Sequence, residues 1–249
     1  MKRGKLLFGG AAGAMLALSA SATQAAISYG TFVGPTTIYS NVNEDNQGLF
    51  GAPTLQGDTL DFGPGEFHAE SSLSDDFGQF TAGYLTFVVE SVNPLHYITS
   101  ITLAESGIFR LFSVDEGGDP GDTFVDVSME GVYQILAANN ASPSSPIHFE
   151  ATFDPEITGT FTLEDHETGP STSTRWNGGY TITFPAEAQV TRVEISFTNS
   201  LLATSDPGTF AYIDKQELEI TVNTQLVPEP ASLTMLGLGA AGLLLRRRR

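Results

Sequence analysis

Alternation of apolar and polar residues is the dominant pattern of this 249-residue chain. In four segments, residues 84–90, 147–153, 189–198 and 217–223, every second side chain is apolar and the side chains between are mostly polar. A period of two is typical of β-strands that bury one face, so each segment predicts an antiparallel strand. The predicted buried faces are Leu85, Phe87 and Val89; Ile147, Phe149, Ala151 and Phe153; Val193, Ile195 and Phe197; and Leu218, Ile220 and Val222.

Clusters of Gly, Pro, Ser and Asn separate these strands, at residues 63–65, 117–121, 142–146 and 177–179. Such clusters are typical of turns. Many short strands with frequent turns and almost no helical period predict an all-β fold, an antiparallel β-sandwich of jelly-roll type. Residues 132–139 fit a short helix or a strand equally well. The absence of a long linker or a fixed repeat predicts one domain, residues 26–226.

The N-terminal segment, residues 1–25, has the organisation of a secretory signal peptide. Lys2, Arg3 and Lys5 precede an apolar run at residues 6–18, and small residues follow up to the expected cleavage site after Ala25 or Ala26. The alternative is an uncleaved membrane helix, which the short and glycine-rich apolar run disfavours. The segment therefore predicts export.

The C-terminal segment combines an uncharged stretch, residues 231–245, with four final arginines, Arg246, Arg247, Arg248 and Arg249. As a helix the stretch would span about 22 Å at 1.5 Å per residue, against a hydrocarbon core of about 30 Å. Arginines at its end extend this reach by snorkelling and orient it with the arginines in the cytoplasm. The segment predicts a single transmembrane helix with a cytoplasmic arginine lock.

Val227, Pro228, Glu229 and Pro230 precede this stretch, and the prolines oppose helix continuation. The motif, the apolar run and the arginine cluster, in this order, resemble the PEP-CTERM sorting signal of Gram-negative bacteria. The resemblance implies export by the general secretory machinery, transient anchoring in the inner membrane, and cleavage near the motif by an exosortase, a membrane-embedded cysteine transpeptidase. The mature protein would then reach the cell surface or the medium.

Proteins with this signal are associated with biofilm and exopolysaccharide production. The resemblance covers residues 227–249, and residues 26–226 match no characterised family. The alternative for the C-terminal segment is an ordinary single-pass anchor with a stop-transfer arginine cluster.

The formal charge of the chain is −18, and the region between its two end segments is more acidic still. That region keeps only Arg110, Arg175, Arg192 and Lys215 of the 11 basic residues but 28 of the 29 acidic ones, which gives it a formal charge of −24. An acidic surface repels phosphate, so it excludes nucleic-acid binding. The absence of cysteine excludes disulfides and thiolate chemistry.

Acidic residues concentrate in one predicted loop, where carboxylate oxygens could bind calcium. The spacing differs from that of a helical calcium hand, so a solvated acidic loop is the alternative. The candidate ligands are Asp115, Glu116, Asp119, Asp122 and Asp126.

The only tryptophan, Trp176, stands between Arg175 and Asn177 in a predicted polar loop before a strand at residues 180–184. A tryptophan in a loop could offer a flat apolar face to a sugar ring, and its two neighbours could supply hydrogen bonds. The alternative is a tryptophan that covers the open end of the core.

The sequence contains no H-E-x-x-H pair, G-x-S-x-G elbow or P-loop. Glu164, Asp165, His166 and Glu167 are adjacent, and adjacent side chains on a strand or turn point in different directions. We therefore predict a non-catalytic, exported β-sandwich protein associated with surface polysaccharide. One alternative is a polysaccharide-active hydrolase or lyase on the same scaffold, such as one that uses two distant carboxylates. The other is a structural envelope protein with no small ligand.

Overall fold

The computed structural model describes residues 26–45, 48–72, 78–93, 95–114 and 121–227. The predicted signal peptide, the sorting-motif residues Pro228, Glu229 and Pro230, and the arginines Arg246 to Arg249 lie outside this part of the chain. The described elements, in chain order, are β1 (Ile27–Val33), β2 (Thr37–Glu44), β3 (Thr54–Gln56), β4 (Thr59–Phe62), β5 (His68–Ser72), β6 (Gln79–Ser91), β7 (His96–Ser113), β8 (Phe124–Ala138), β9 (Ile147–Glu150), β10 (Thr152–Asp154), β11 (Thr160–Thr162), α1 (Leu163–His166), β12 (Thr174–Thr183), β13 (Val190–Thr204) and β14 (Thr209–Leu226).

The predicted all-β, antiparallel, jelly-roll-like fold is confirmed: every strand pairing among the described residues is antiparallel. Residues 132–138, which also fitted a helix, belong to strand β8. The predicted faces of residues 84–90, 189–198 and 217–223 are buried. In the segment at residues 147–153, Ile147 is 41% exposed, so the prediction that it shares the buried face is wrong. Ile147 is the first residue of strand β9.

The strands form one 14-stranded sheet that folds into two facing layers. The first layer has the order β1-β2-β6-β13-β8, and both β9 and β11 pair with the far edge of β8. The second layer has β7 and β14 at its centre, with β12 and then β10 on one side and β4, β5 and β3 on the other. The two central strands have 18 residues each and pair along almost their whole length, with register shifts after Lys215 and after Asn223.

Two connections join the layers and bring the sandwich close to a barrel. Val190 of β13 pairs with Ile98 of β7. On another side the chain crosses between layers at Ala151, because β9 pairs with β8 of the first layer and β10 pairs with β12 of the second. Connections of this kind protect strand edges that would otherwise be free to pair with other chains.

Asp58 adds a third connection, through hydrogen bonds. Its carboxylate accepts from the backbone amides of Thr36 and Thr37, each at 3.0 Å, and from their hydroxyls at 2.7 and 2.8 Å. The hydroxyl of Tyr39 donates to the carbonyl oxygens of Asp58 and Ile220 at 2.6 and 2.9 Å. These bonds tie the β1–β2 turn of the first layer to the β3–β4 turn and β14 of the second.

The space between the layers is filled by aliphatic side chains and by a large group of aromatic ones. Phe50 packs edge-on against Phe67 with ring centroids 5.3 Å apart, and Phe109 stacks on Phe161 at 4.5 Å. Aromatic side chains bury large apolar areas and pack in specific geometries. The body therefore gains a core from packing alone, as expected for a chain without disulfides.

Among the described residues no helix has the length and apolar composition needed to cross a membrane. The helix α1 has only four residues. The predicted transmembrane segment, residues 231–245, falls outside the described part of the chain.

Candidate functional site

The outer face of the second layer carries a continuous group of aromatic and basic side chains. Residues directly opposite each other in an antiparallel pair share a face. Phe112 of β7 lies opposite Phe210 of β14, Arg110 lies opposite Tyr212, and His68 of β5 lies two positions further along the face, opposite Asp214. We call the side chains of Phe112, Phe210, Arg110, Tyr212 and His68 the aromatic strip.

Each member of the aromatic strip contacts the next. The rings of Phe112 and Phe210 stack with centroids 4.7 Å apart. The guanidinium carbon of Arg110 lies 5.6 Å from the Phe210 centroid and 4.6 Å from that of Tyr212, within the range of a cation–π interaction. His68 stacks on Tyr212 at 6.1 Å. Because His68 is exposed and the other four side chains are half-buried, the strip is preorganised but open to solvent.

Acidic groups border the aromatic strip and affect its electrostatics. Burial raises the pKa of Tyr212, and the negative charge of Asp214 raises it further. Burial also raises the pKa of Asp214, against the opposing effects of hydrogen bonds from Gln216 and Tyr212 and the charge of His68. The Tyr212 hydroxyl is therefore neutral at physiological pH and serves as a hydrogen-bond donor beside the rings.

The predicted loop position of Arg175, Trp176 and Asn177 is wrong: all three lie in strand β12. Pairing with β7 places Trp176 opposite Gly107, and the indole is fully buried between the layers. A buried indole has no free face for a sugar ring. Sequence reasoning missed this strand because Gly178 and Gly179 resemble a turn, whereas both pair with β7 in regular register.

Arg175 and Asn177 are exposed, because alternation along β12 turns them away from Trp176. They lie opposite Ile108 and Ser106 of β7, on the same outer face as the aromatic strip. A shallow depression there is lined by Ser106, Arg175, Asn177, Glu217 and Glu219. The predicted hydrogen-bonding pair thus adjoins an aromatic surface, but that surface is the aromatic strip and not Trp176.

The outer face runs from Phe112 to Ser106 along β7, roughly 20 Å at about 3.3 Å per residue. Two of the four basic residues of the body, Arg110 and Arg175, lie on it. Sequence reasoning missed the aromatic strip. The available signal was the loss of alternation at residues 108–112 and 209–213, where apolar residues occupy both faces of a strand.

The candidate calcium ligands are divided by the structure. Asp115, Glu116 and Asp119 lie outside the described residues. Asp126 lies in strand β8, where it accepts a hydrogen bond from the Thr160 hydroxyl at 2.6 Å, so its predicted loop position is wrong. Burial raises the pKa of Asp126, and this hydrogen bond opposes the effect. In the described part of the chain no three His, Asp or Glu side chains are grouped to hold a metal ion, and calcium binding by the loop stays a prediction.

The group at residues 164–167 forms most of the single helical turn α1. His166 contacts the rings of Phe109 and Phe161 and lies 3.2 Å from the Glu156 carboxylate. This arrangement anchors α1 over the core.

The predicted sorting motif begins where the last strand ends. Val227 follows β14 directly, and its amide donates to the Leu95 carbonyl oxygen at 2.6 Å. The described part of the chain therefore ends next to the start of β7.

Comparison with known proteins identifies the C-terminal segment. Residues 226–249 match the PEP-CTERM protein-sorting motif, which marks an exported protein targeted to an exosortase. No curated protein matches the chain. A solved structure titled "Structure of infectious bursal disease virus Gx strain" aligns with 74% of this chain and 49% of its own length, at 10% identity and a TM-score of 0.12, which is too low to support an argument about fold or function.

Proposed function

We propose that this exported, exosortase-targeted protein associates with extracellular polysaccharide through the aromatic strip and does not cleave it. The premise is the PEP-CTERM protein-sorting motif at residues 226–249. The observation that carries the proposal is the open row of stacked rings on the outer face of the second layer.

Sugar rings combine apolar C–H faces with hydroxyl groups. The aromatic strip offers both kinds of contact, because half-exposed rings alternate with an arginine, a tyrosine hydroxyl and neighbouring carboxylates. Aromatic surfaces with a few convergent polar groups are typical of ligand sites. Arg175 and Asn177 extend the surface with exposed donors.

The route to the polysaccharide belongs to the same proposal. The general secretory machinery exports the chain, and residues 231–245 hold the precursor in the inner membrane with Arg246 to Arg249 on the cytoplasmic side. An exosortase then cuts near Val227, Pro228, Glu229 and Pro230, and the body reaches the cell surface or the medium. Because Val227 directly follows strand β14, processing takes place close to the folded body.

The test is retention of residues 26–227 on extracellular polysaccharide from the same organism, with polysaccharide length followed in the same tube. We expect the unmodified protein to be retained at constant chain length. The double variant Phe210→Ala, Tyr212→Ala should bind at least tenfold more weakly, since aromatic residues dominate interfaces of this kind.

The matched control is Phe80→Ala, which removes an aromatic ring that is 65% exposed on the first layer. It should bind as well as the unmodified protein. Equal loss in both variants would contradict a role for the aromatic strip. Shortening of the polysaccharide would favour a hydrolase or lyase, and no retention at all would favour a structural envelope protein. Retention lost with chelator and restored by calcium would support the predicted loop of Asp115 to Asp126.

A further inference from the structure

Three polar side chains meet in the core between the layers. Glu105 of β7 and Lys215 of β14 come from the second layer, and Asn199 of β13 comes from the first. Lys215 and Asn199 are fully buried and Glu105 is 3% exposed. They are separated in sequence by up to 110 residues, so the fold alone brings them together.

One carboxylate oxygen joins the cluster. Glu105 Oε2 accepts a hydrogen bond from Asn199 Nδ2 at 2.5 Å and forms a close ion pair with Lys215 Nζ. Two nitrogen atoms that are hydrogen-bonded to the same oxygen lie within about 6 Å of each other. The lysine amine and the asparagine carboxamide are therefore neighbours, with the carboxylate touching both.

A β-bulge turns Lys215 toward the core. Lys215 lies opposite Gly107, and the register then shifts so that Glu217 lies opposite Ser106, which leaves Gln216 as the extra residue. Gly107 also makes room: a Cβ there would stand 2.7 Å from the Trp176 ring, so the indole covers the glycine directly opposite Lys215.

The surroundings of the lysine are apolar and aromatic. Lys215 Nζ lies 4.9 Å from the centroid of the Phe67 ring and 5.7 Å from that of Phe50. Burial lowers the pKa of Lys215, and the charge and hydrogen bond of Glu105 oppose this effect. A buried lysine that gives up its proton becomes a neutral amine, which is a nucleophile.

The cluster is poorly satisfied as a purely structural ion pair. Glu105 Oε1 and Asn199 Oδ1 are buried and have no hydrogen-bond partner among the described residues. A buried ion pair stabilises a protein only when its remaining polar atoms are also satisfied. Unsatisfied buried atoms beside a nucleophile and a carboxamide suggest a reactive arrangement.

We propose that Lys215 and Asn199 form an intramolecular isopeptide bond, with Glu105 as the proton carrier. Lys215 first transfers a proton from Nζ to Glu105 Oε2 along their existing contact. The neutral amine then attacks Asn199 Cγ and forms the new Nζ–Cγ bond.

The bond between Cγ and Nδ2 breaks in the second half of the reaction. Glu105 Oε2, already hydrogen-bonded to Nδ2, gives its proton to this leaving nitrogen, and the attacking nitrogen returns a proton to the carboxylate. The leaving group departs as ammonia and takes the last proton from Glu105 to become ammonium. The starting ammonium, carboxylate and carboxamide thus become a secondary amide, a carboxylate and an ammonium ion, with no oxidant, metal or other reactant.

The product would link β13 of the first layer to β14 of the second inside the core. An extracellular protein without cysteine lacks disulfides, and a buried amide bond supplies a covalent link of comparable effect that no reductant cleaves. This inference is independent of polysaccharide binding, because the cluster lies between the layers and the aromatic strip lies on the outer face.

The test is mass spectrometry of the purified full chain after digestion with trypsin, which cuts after Arg and Lys. An unlinked chain yields a peptide of residues 193–215, because Arg192 and Lys215 are consecutive basic residues. An amide on Lys215 removes the charge that trypsin recognises. We expect one peptide that starts at Val193 and continues past Lys215, lighter by about 17 Da, the mass of ammonia.

Glu105→Gln keeps the size of the side chain but cannot accept the proton, so we expect full mass and cleavage after Lys215. Asn199→Leu removes the reacting carbonyl and should behave the same way. The matched control, Glu219→Gln on the outer face of β14, should keep the link. Full mass and normal cleavage in the unmodified chain would overturn the proposal without any variant. Loss of about 18 Da, with the Glu105 peptide joined to Lys215, would also overturn it, because the partner would then be Glu105 and not Asn199.

Discussion

Asp58 illustrates how a single side chain can determine the relation between two turns. Burial on its own would raise the pKa of this carboxyl, but hydrogen bonds from the hydroxyls and amides of Thr36 and Thr37 outweigh burial and lower it. The folded state therefore favours the ionised carboxylate more than the unfolded chain does. This stabilisation is present above the unfolded pKa, about 3.9, and is lost as the pH falls through the folded value.

We expect Asp58→Asn to lower the free energy of unfolding by about 1–3 kcal/mol at pH 7, because hydroxyl and amide donors lose a charged acceptor. The difference from the unmodified protein should shrink as the pH falls below about 4, because the unfolded chain is protonated at Asp58 first, and it is lost once the pH falls through the lowered pKa of the folded state. Urea unfolding at pH 7, 5 and 3, followed by the fluorescence of the single buried Trp176, measures both effects. Glu66→Gln at an exposed bend is the control. An equal difference at pH 3 and pH 7 would argue against the ionised carboxylate.

At the scale of elements, the crossing from β9 to β10 closes one side of the sandwich. Phe149 stacks on Tyr180 at 5.1 Å, and Phe153 packs edge-on against Trp176 at 6.1 Å. Phe153 also covers Gly178, where a Cβ would lie 2.1 Å from its ring. At this crossing the Phe149–Tyr180 stack joins the two layers, and Phe153 packs β10 against β12 within the second layer.

We expect Phe153→Ala to lower the free energy of unfolding by about 3–5 kcal/mol, because the change leaves a cavity between β10 and β12. It should also shift the Trp176 emission to longer wavelength, since water gains access to the indole. The control is Ile157→Ala, a nearby side chain that is 72% exposed and should change stability by less than about 0.5 kcal/mol. Similar losses in the two variants would mean that the crossing strands do not close the core.

The helix α1 and the paired strands show how far local sequence governs an element. The Thr162 hydroxyl accepts a hydrogen bond from the Asp165 amide, as helix N-cap residues do. The helix α1 begins at the next residue and ends after four residues. Strands β6, β13 and β14 follow from their own alternation. β12 does not, because its two adjacent glycines are typical of a turn in sequence, whereas pairing with β7 places them in a strand.

At the scale of the whole molecule, negative charge dominates. The body has a formal charge of −24, and three of its four basic residues are already engaged: Lys215 pairs with Glu105, Arg192 with Glu90 and Arg110 with aromatic rings. Self-repulsion among the remaining carboxylates destabilises the compact state, and salt screens it.

We expect the Tm of residues 26–227 to rise by several degrees when NaCl increases from about 10 to about 200 mM. Calorimetry in NaCl and in CaCl2 at equal ionic strength separates two causes. Equal effects of the two salts indicate screening alone. A larger effect of calcium indicates a bound cation and supports the predicted loop. A Tm that stays constant or falls with NaCl would contradict the role of self-repulsion.

The sequence by itself determined the buried faces of residues 84–90, 189–198 and 217–223 and the sorting motif, because each depends on residues that are contiguous or alternate along the chain. It did not determine strand β12 or the exposure of Ile147. Only the tertiary structure decided the aromatic strip, the burial of Trp176 and the cluster around Glu105. Simple alternation from Leu218 would place Lys215 on the polar face with Glu217, and the bulge at Gln216 reverses this. Glu105 and Asn199 hold inward positions among apolar residues, which is a signal in the sequence, but their meeting across 94 residues follows from the packing of one layer on the other.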